Sequence, residues 1–141
     1  MNAVFEQIKA DESYRRHAYK CSAGVWTIGY GRNIDGDAGG PGISEVEAGF
    51  LCRNDVAAAE IHLRGVFPNW KTMGQARRNA FINMRFNLGP SRFLGFINMI
   101  AAVTRGAWGI AGMEARDSRW YFQVGSRAER IARTIETGVS L

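Results

Sequence analysis

At 141 residues with 46% hydrophobic content, the chain has the size and composition of one globular domain, not of a disordered tail or a repeat array. Its net charge of +5 is unevenly spread: residues 1–60 carry nine acidic and six basic side chains, residues 61–113 seven basic and no acidic ones, and residues 114–141 five basic and four acidic. No apolar run is long enough to cross a bilayer, the lone cysteines Cys21 and Cys52 make no disulfide framework, and with His17 and His62 they lack metal-ligand spacing, so no metal or other cofactor is expected.

The cation excess favours a polyanionic partner, whether nucleic acid, an anionic membrane face or an acidic wall polymer, and does not choose among them. A solvated basic face without a partner is the plainer account. The opening "MNAVFEQIKADESYRR" has no basic start followed by an apolar core, so no secretory signal is expected. Folding in a cytoplasm with free thiols follows.

In chain order, residues 2–11 read as a short helix, with Asn2 as N-cap and Val4, Phe5 and Ile8 on one face. The polar residues 11–13 end it. "GVWTIGYG" alternates Val25 and Thr27 against Trp26, Ile28 and Tyr30 behind a turn-prone "CSAG", which predicts a strand. "DGDAGGPG" at 35–42 is a loop by composition. Ser44 and Glu47 form an S-x-x-E capping box that opens a long helix over about 45–64, with Val46, Phe50, Ala57 and Ile61 as its apolar stripe. The stretch 74–88 is apolar on most faces and predicts a central core helix, stopped by Gly89-Pro90. Shorter helices are expected near 92–104 and 107–116. Ser126 and Glu129 suggest a second capping box, opening a helix with Ala128, Ile131 and Ile135 inside and Gly138 as its stop. The sum is an α+β chain, mainly α, with one small sheet near the N-terminus.

Three polar residues crowd the helix-to-strand junction: Glu12, Cys21 and Thr27. Taken singly, each has an ordinary reading as a surface glutamate, a small buried thiol and a strand threonine. Together they suit glycoside hydrolysis. That reaction needs one acid to protonate the leaving oxygen and a polar group across the cleft to present water or stabilise an oxocarbenium ion. A carboxyl group at a junction that partly desolvates it suits the proton donor.

The spacing of these three within "DESYRRHAYKCSAGVWTIGYGRN" resembles the signature of the phage lysozyme family of the T-even type (endolysins, glycoside hydrolase family 24), whose members carry Glu, then Asp or Cys, then Thr. "RRNAFINMRFNLG", "GFIN" and "SRWYFQVGSRAERI" are similar to that family's C-terminal lobe, so the resemblance covers residues 2–33 and 76–138. It implies a single lysozyme-like domain over 1–141: a β-lobe at about 12–43, a linking helix at about 44–64, and a helical lobe at about 65–141 together with helix 2–11. It implies a muramidase that cuts the β-1,4 bond between N-acetylmuramic acid and N-acetylglucosamine in peptidoglycan. Glu12 would be the general acid, Cys21 would aid the attacking water from across the scissile bond, and Thr27 would hold that water.

Cysteine in place of aspartate matters, because an ordinary thiol is mostly protonated at neutral pH. Cys21 would be an activated thiolate, with Lys20 or another cation lowering its pKa, or it would mainly position water. A lytic transglycosylase, which needs only the acid, is the alternative chemistry. By the same resemblance, Arg127 would approach Glu12, and Arg32 would pair with Asp55 to tie the β-lobe to the long helix. Phe86, Asn87, Arg119, Trp120 and Gln123 would lie near substrate. For Phe86 and Trp120 core packing is an equal reading, and Trp26, Trp70 and Trp108 are left as core or surface aromatics.

The resemblance further implies a monomeric endolysin held in the host cytoplasm until a holin releases it to the periplasm, there to act on peptidoglycan for host lysis. The cationic surface would suit anionic lipopolysaccharide. A virion-associated lysozyme is an alternative setting, although the N-terminal methionine and complete first helix favour a stand-alone form. A non-catalytic wall-binding module is disfavoured by the presence of Glu12 and Thr27. Nucleic-acid binding has no recognition motif in its support.

Overall fold

The computed structural model describes residues 3–34 and 40–141; the expected N-cap Asn2, the side chain of Val4 and residues 35–39 of the expected loop lie outside the described residues. The chain divides into two compact units, residues 1–50 and 51–141.

The first unit opens with α1 (Ala3–Glu12), followed by β1 (Arg15–Lys20), β2 (Trp26–Gly29) and β3 (Arg32–Asn33). The sheet is antiparallel throughout, in the order β1-β2-β3. The sequence pattern found β2 but not β1, whose "RRHAYK" is exposed along most of its length and has no apolar alternation to announce it. Ser13 ends α1 by entering the left-handed region at φ 59° while its N–H bonds Lys9 O at 3.1 Å. That conformation is uncommon for a residue with a Cβ. The sequence reading grouped residues 2–11 with the C-terminal helices; here α1 falls in the first unit, with the strands.

α2 (Glu45–Val66) passes from one unit to the next along the chain. Its predicted capping box is present: Glu47 N–H donates to Ser44 Oγ at 3.2 Å and Ser44 N–H to Glu47 Oε2 at 2.7 Å. Its predicted apolar stripe is not the buried one. Val46, Phe50, Ala57 and Ile61 are exposed, and the buried residues are Ala59 and Leu63. These two lie four apart on the face that continues into buried Phe67.

The second unit holds α3 (Gln75–Leu88), α4 (Pro90–Leu94), α5 (Ile97–Thr104), α6 (Trp108–Arg116), α7 (Arg119–Val124) and α8 (Ser126–Thr137). The expected helix at 92–104 is two helices, and Pro90 starts the first of them at its N-terminal turn. α7 was not foreseen. Its N-cap is Ser118, whose Oγ accepts from Tyr121 N–H at 3.1 Å. The capping box expected at Ser126 and Glu129 does not form. Gly125 is the N-cap, and Glu129 turns its carboxylate to Arg116 and Tyr121 instead.

The core of this unit is built on Phe67, Phe81 and Phe93, with ring centroids 5.0 Å apart between Phe67 and Phe81 and 6.5 Å between Phe81 and Phe93. Trp70 stacks on Phe67, and Ala128, Ile131 and Ile135 are buried as expected. Arg77 lies over Trp108 and donates to the Ile135 and Glu136 carbonyls at 2.8 and 3.0 Å, which caps the C-terminal end of α8 with a cation. Arg116 gathers Glu129, at 2.8 and 3.0 Å, and Glu136. These bonds to Arg116 hold the Glu129 carboxyl at about 2, below its ordinary 4.5, with help from the Tyr121 hydroxyl.

Phe81→Ala empties a fully buried site and should cost about 3–5 kcal/mol in a urea melt. A carboxyl whose pKa is depressed by folding stabilises the fold above its ordinary value and stops doing so as pH falls through the folded value. Thermal melts should therefore show a loss of stability between pH 4.5 and about 2 that is smaller in Glu129→Gln, with the variant less stable than the parent at pH 7.

Candidate active site

The β1–β2 connection is a three-residue loop, Ser22-Ala23-Gly24. Cys21 N–H donates to Val25 O at 2.9 Å and Gly24 N–H to Cys21 O at 2.8 Å. Gly24 takes the left-handed conformation that the third loop position requires, at φ 76°. This closure sets the register: Lys20 opposes Trp26 and Tyr19 opposes Thr27. Cys21 and Thr27 are then diagonal neighbours on the same face of the ribbon, close enough for their side chains to bond. On the other side of β2, Thr27 opposes Asn33.

The Cys21 thiol is half-buried, and its pKa is lowered from the ordinary 9.0. The largest cause is a hydrogen bond from the Val25 backbone, then one from Ala23; burial opposes them, and the Thr27 hydroxyl assists. A side chain that takes the N–H two residues ahead is the arrangement aspartate favours at turns, here made by sulfur. The sequence reading looked to Lys20 for the charge. Instead the Lys20 ammonium lies 5.5 Å from the centre of the Trp26 ring, and among the described residues no charged side chain contributes to the shift.

Thr27 is 2% exposed. Its Oγ1 lies 3.0 Å from Val25 O and 3.1 Å from Asn33 Oδ1, and bonds the Cys21 side chain as well. A hydroxyl has one proton and two lone pairs, and these two oxygens compete for the one proton.

Glu12 is the last residue of α1, and its carboxyl group rests on the β2–β3 turn. A Cβ added to Gly31 would meet Glu12 Oε2 at 2.5 Å and Cδ at 2.6 Å. Gly31 also sits at φ 73°, so this position favours glycine both for space and for backbone shape. Glu12 is exposed, where the sequence suggested partial desolvation.

Arg32 forms an ion pair, but with Glu47 in place of the expected Asp55. Nη1 and Nη2 reach the two carboxylate oxygens at 2.7 and 3.3 Å, and Nε donates to Gly42 O at 2.9 Å. Glu47 stands in the first turn of α2, already fixed by Ser44, whose N–H is the main reason its carboxylate lies below the ordinary value. A carboxylate pre-aimed in this way suits the planar guanidinium fork. Asp55 is exposed further along α2.

In the second unit an open groove of about 1010 Å³ collects four of the five predicted substrate residues, Asn87, Arg119, Trp120 and Gln123, together with Asn98 and Asp117. Trp120 is buried, with the Phe96 ring edge-on to it, and its Nε1–H donates to Asn87 Oδ1 at 2.8 Å. Core packing is thus its role, and it orients the Asn87 amide. Phe86 is 41% exposed and outside the residues that line the groove. Arg127 donates to Asn83 Oδ1 through Nε and Nη2, at 2.9 and 2.6 Å. Sequence reasoning missed Gly31 and Asn33. The "GYG" run signalled the first, and a strand partner of Thr27 across a three-residue turn would have found the second.

Comparison with known proteins adds the family. The sequence matches the family described as phage lysozyme over residues 9–133. It is 30% identical to the pre-baseplate central spike protein Gp5 of Enterobacteria phage T4, over 96% of this chain, and it spans only 28% of that protein's length. Probable T4-type lysozymes 1 and 2 of Dictyostelium discoideum are 24% and 25% identical to it, over 98% of this chain and 96% of each relative. With a family match over nearly the whole sequence, the chain belongs to the phage lysozyme family.

Proposed function

We propose that the chain is a muramidase, a glycoside hydrolase that cleaves the β-1,4 bond between N-acetylmuramic acid and N-acetylglucosamine in peptidoglycan. The observation that carries this reading is a sheet whose register sets Cys21 and Thr27 on one face while its β2–β3 turn seats the Glu12 carboxyl, in a chain of this family. Glu12, protonated, gives its proton to the glycosidic oxygen as the C–O bond breaks toward an oxocarbenium ion. Cys21 faces the anomeric carbon through one water and takes that water's proton as the new C–O bond forms. Solvent then returns a proton to Glu12 and removes one from Cys21. Thr27, buried beside Cys21 on the same face of the ribbon, acts through Cys21. Asn87, Arg119 and Gln123 bind sugar through amide and guanidinium hydrogen bonds. No step requires a cofactor.

In this reading the enzyme serves host lysis after holin-dependent release into the periplasm. A second setting is favoured by one finding: the 30% identity to a T4 spike protein suits a lysozyme carried on the virion. Immunodetection in purified virions supports that setting, and detection only in the infected-cell lysate supports the first.

On outer-membrane-permeabilised Gram-negative cells, Glu12→Gln should clear a suspension at least ~10²-fold more slowly than the parent, as expected for loss of a general acid. Undiminished clearing would overturn the assignment. Cys21→Asp should stay active and Cys21→Ala should lose most activity; equal rates for Ala and parent would make the thiol a spectator. Because ionised Cys21 is the active form, kcat should rise with pH through a limb centred below 9.0, and Cys21→Asp should move that limb toward acid. Mass analysis should find reducing ends; 1,6-anhydro ends would instead identify a lytic transglycosylase.

A further inference from the structure

We propose that Asn33 is a positioning residue whose side-chain amide N–H donates to Thr27 Oγ1, leaving the single Thr27 proton to move between Val25 O and Cys21 Sγ. The proposal deepens the muramidase reading and rests on it for the role of Cys21. It begins from a proton count. Around Thr27 Oγ1 stand Val25 O at 3.0 Å, Asn33 Oδ1 at 3.1 Å and the Cys21 side chain.

Val25 O can only accept. With Asn33 presenting its carbonyl oxygen as well, two acceptors would compete for one proton. The loser would face the Thr27 lone pairs at hydrogen-bond distance, and a Cys21 thiolate, held otherwise by backbone N–H groups alone, would be a third acceptor for the same proton. A half-turn of the amide about its Cβ–Cγ bond puts Nδ2 in the same place and removes the conflict. Asn33 then donates, a lone pair of Oγ1 receives, and the hydroxyl proton points to Val25 O while Cys21 is a thiol. It swings to sulfur once the thiol ionises. A hydroxyl that accepts one bond donates the next more strongly, so the Asn33 amide stabilises the thiolate through Thr27 without touching it. Register makes the arrangement possible, since β3 places Asn33 directly opposite Thr27. Of the charged groups near this pocket, the Lys20 ammonium is held over Trp26 and the Arg32 guanidinium by Glu47, and among the described residues neither contributes to the lowered Cys21 pKa.

The test is the pH dependence of Cys21 alkylation by iodoacetamide, in a Cys52→Ala background so that one thiol reacts. Asn33→Leu removes both donor and acceptor, and its sign decides between the two amide orientations. A donating Asn33 predicts a higher alkylation midpoint in the Leu variant. An accepting Asn33 would release the Thr27 proton to sulfur and lower the midpoint, which overturns the proposal, as does no change. In a Thr27→Val background, Asn33→Leu should move the midpoint no further; an undiminished shift there would mean that Asn33 does not act through Thr27. Asn33→Asp keeps the shape, can only accept, and should raise the midpoint by about one pH unit or more; an unmoved midpoint in this near-isosteric variant overturns the proposal even should the Leu variant fold poorly. The kcat limb should shift with the thiol midpoint while KM stays put. A shifted thiol in a chain that cleaves no peptidoglycan sinks the muramidase reading and leaves this one standing, whereas an unshifted thiol in an active enzyme does the reverse.

Discussion

The Cys21 N–H reaching Val25 O across a three-residue loop is the bond on which the candidate chemistry depends. It fixes which residue of β2 faces which residue of β1, and a slip of one position would turn Thr27 to the opposite face. With the register as it is, the turn's own N–H groups converge on sulfur, and the neighbouring strand brings a hydroxyl to the same atom. The thiol pKa is lowered by backbone hydrogen bonds instead of by a neighbouring cation. Such activation is insensitive to salt in a way that a lysine-based device would not be.

The helical unit meets a different requirement. Its groove residues lie on short helices that would be marginal alone, and it is the buried aromatic cluster and the Arg116 and Arg77 contacts that hold these helices in place. Trp120 joins the two functions, since its ring belongs to the core while its N–H orients Asn87 at the groove.

Much of the fold is legible in the sequence where local signals and tertiary demands agree. Ser44 and Glu47 cap α2 as their spacing predicts, and α8 buries the residues its periodicity selects. The failures come where a side chain has a stronger offer from elsewhere. Glu129 has the spacing of a capping box but meets Arg116, and a bidentate charged bond outcompetes one backbone N–H. Arg32 was matched to Asp55 by position in the family, yet the pre-aimed Glu47 is its partner. Strand β1 was illegible because a mostly exposed strand has no reason to alternate. At the site, Glu12, Cys21 and Thr27 were singled out by their resemblance to a family signature, whereas the pairing of Asn33 with Thr27 depends on strand register, which no local pattern in "GRN" reveals.

Ser13 has a consequence beyond ending a helix. Successive α-helical residues are turned by about 100° around the axis, so the place where α1 stops determines which of its side chains looks toward the sheet. A left-handed serine immediately after Glu12 halts the winding with that carboxylate on the Gly31 side. One extra residue of helix would carry the Glu12 carboxyl about a quarter-turn round the rod and off the Gly31 turn. The angular phase of a single helix end thus decides which side chain of α1 meets the β2–β3 turn.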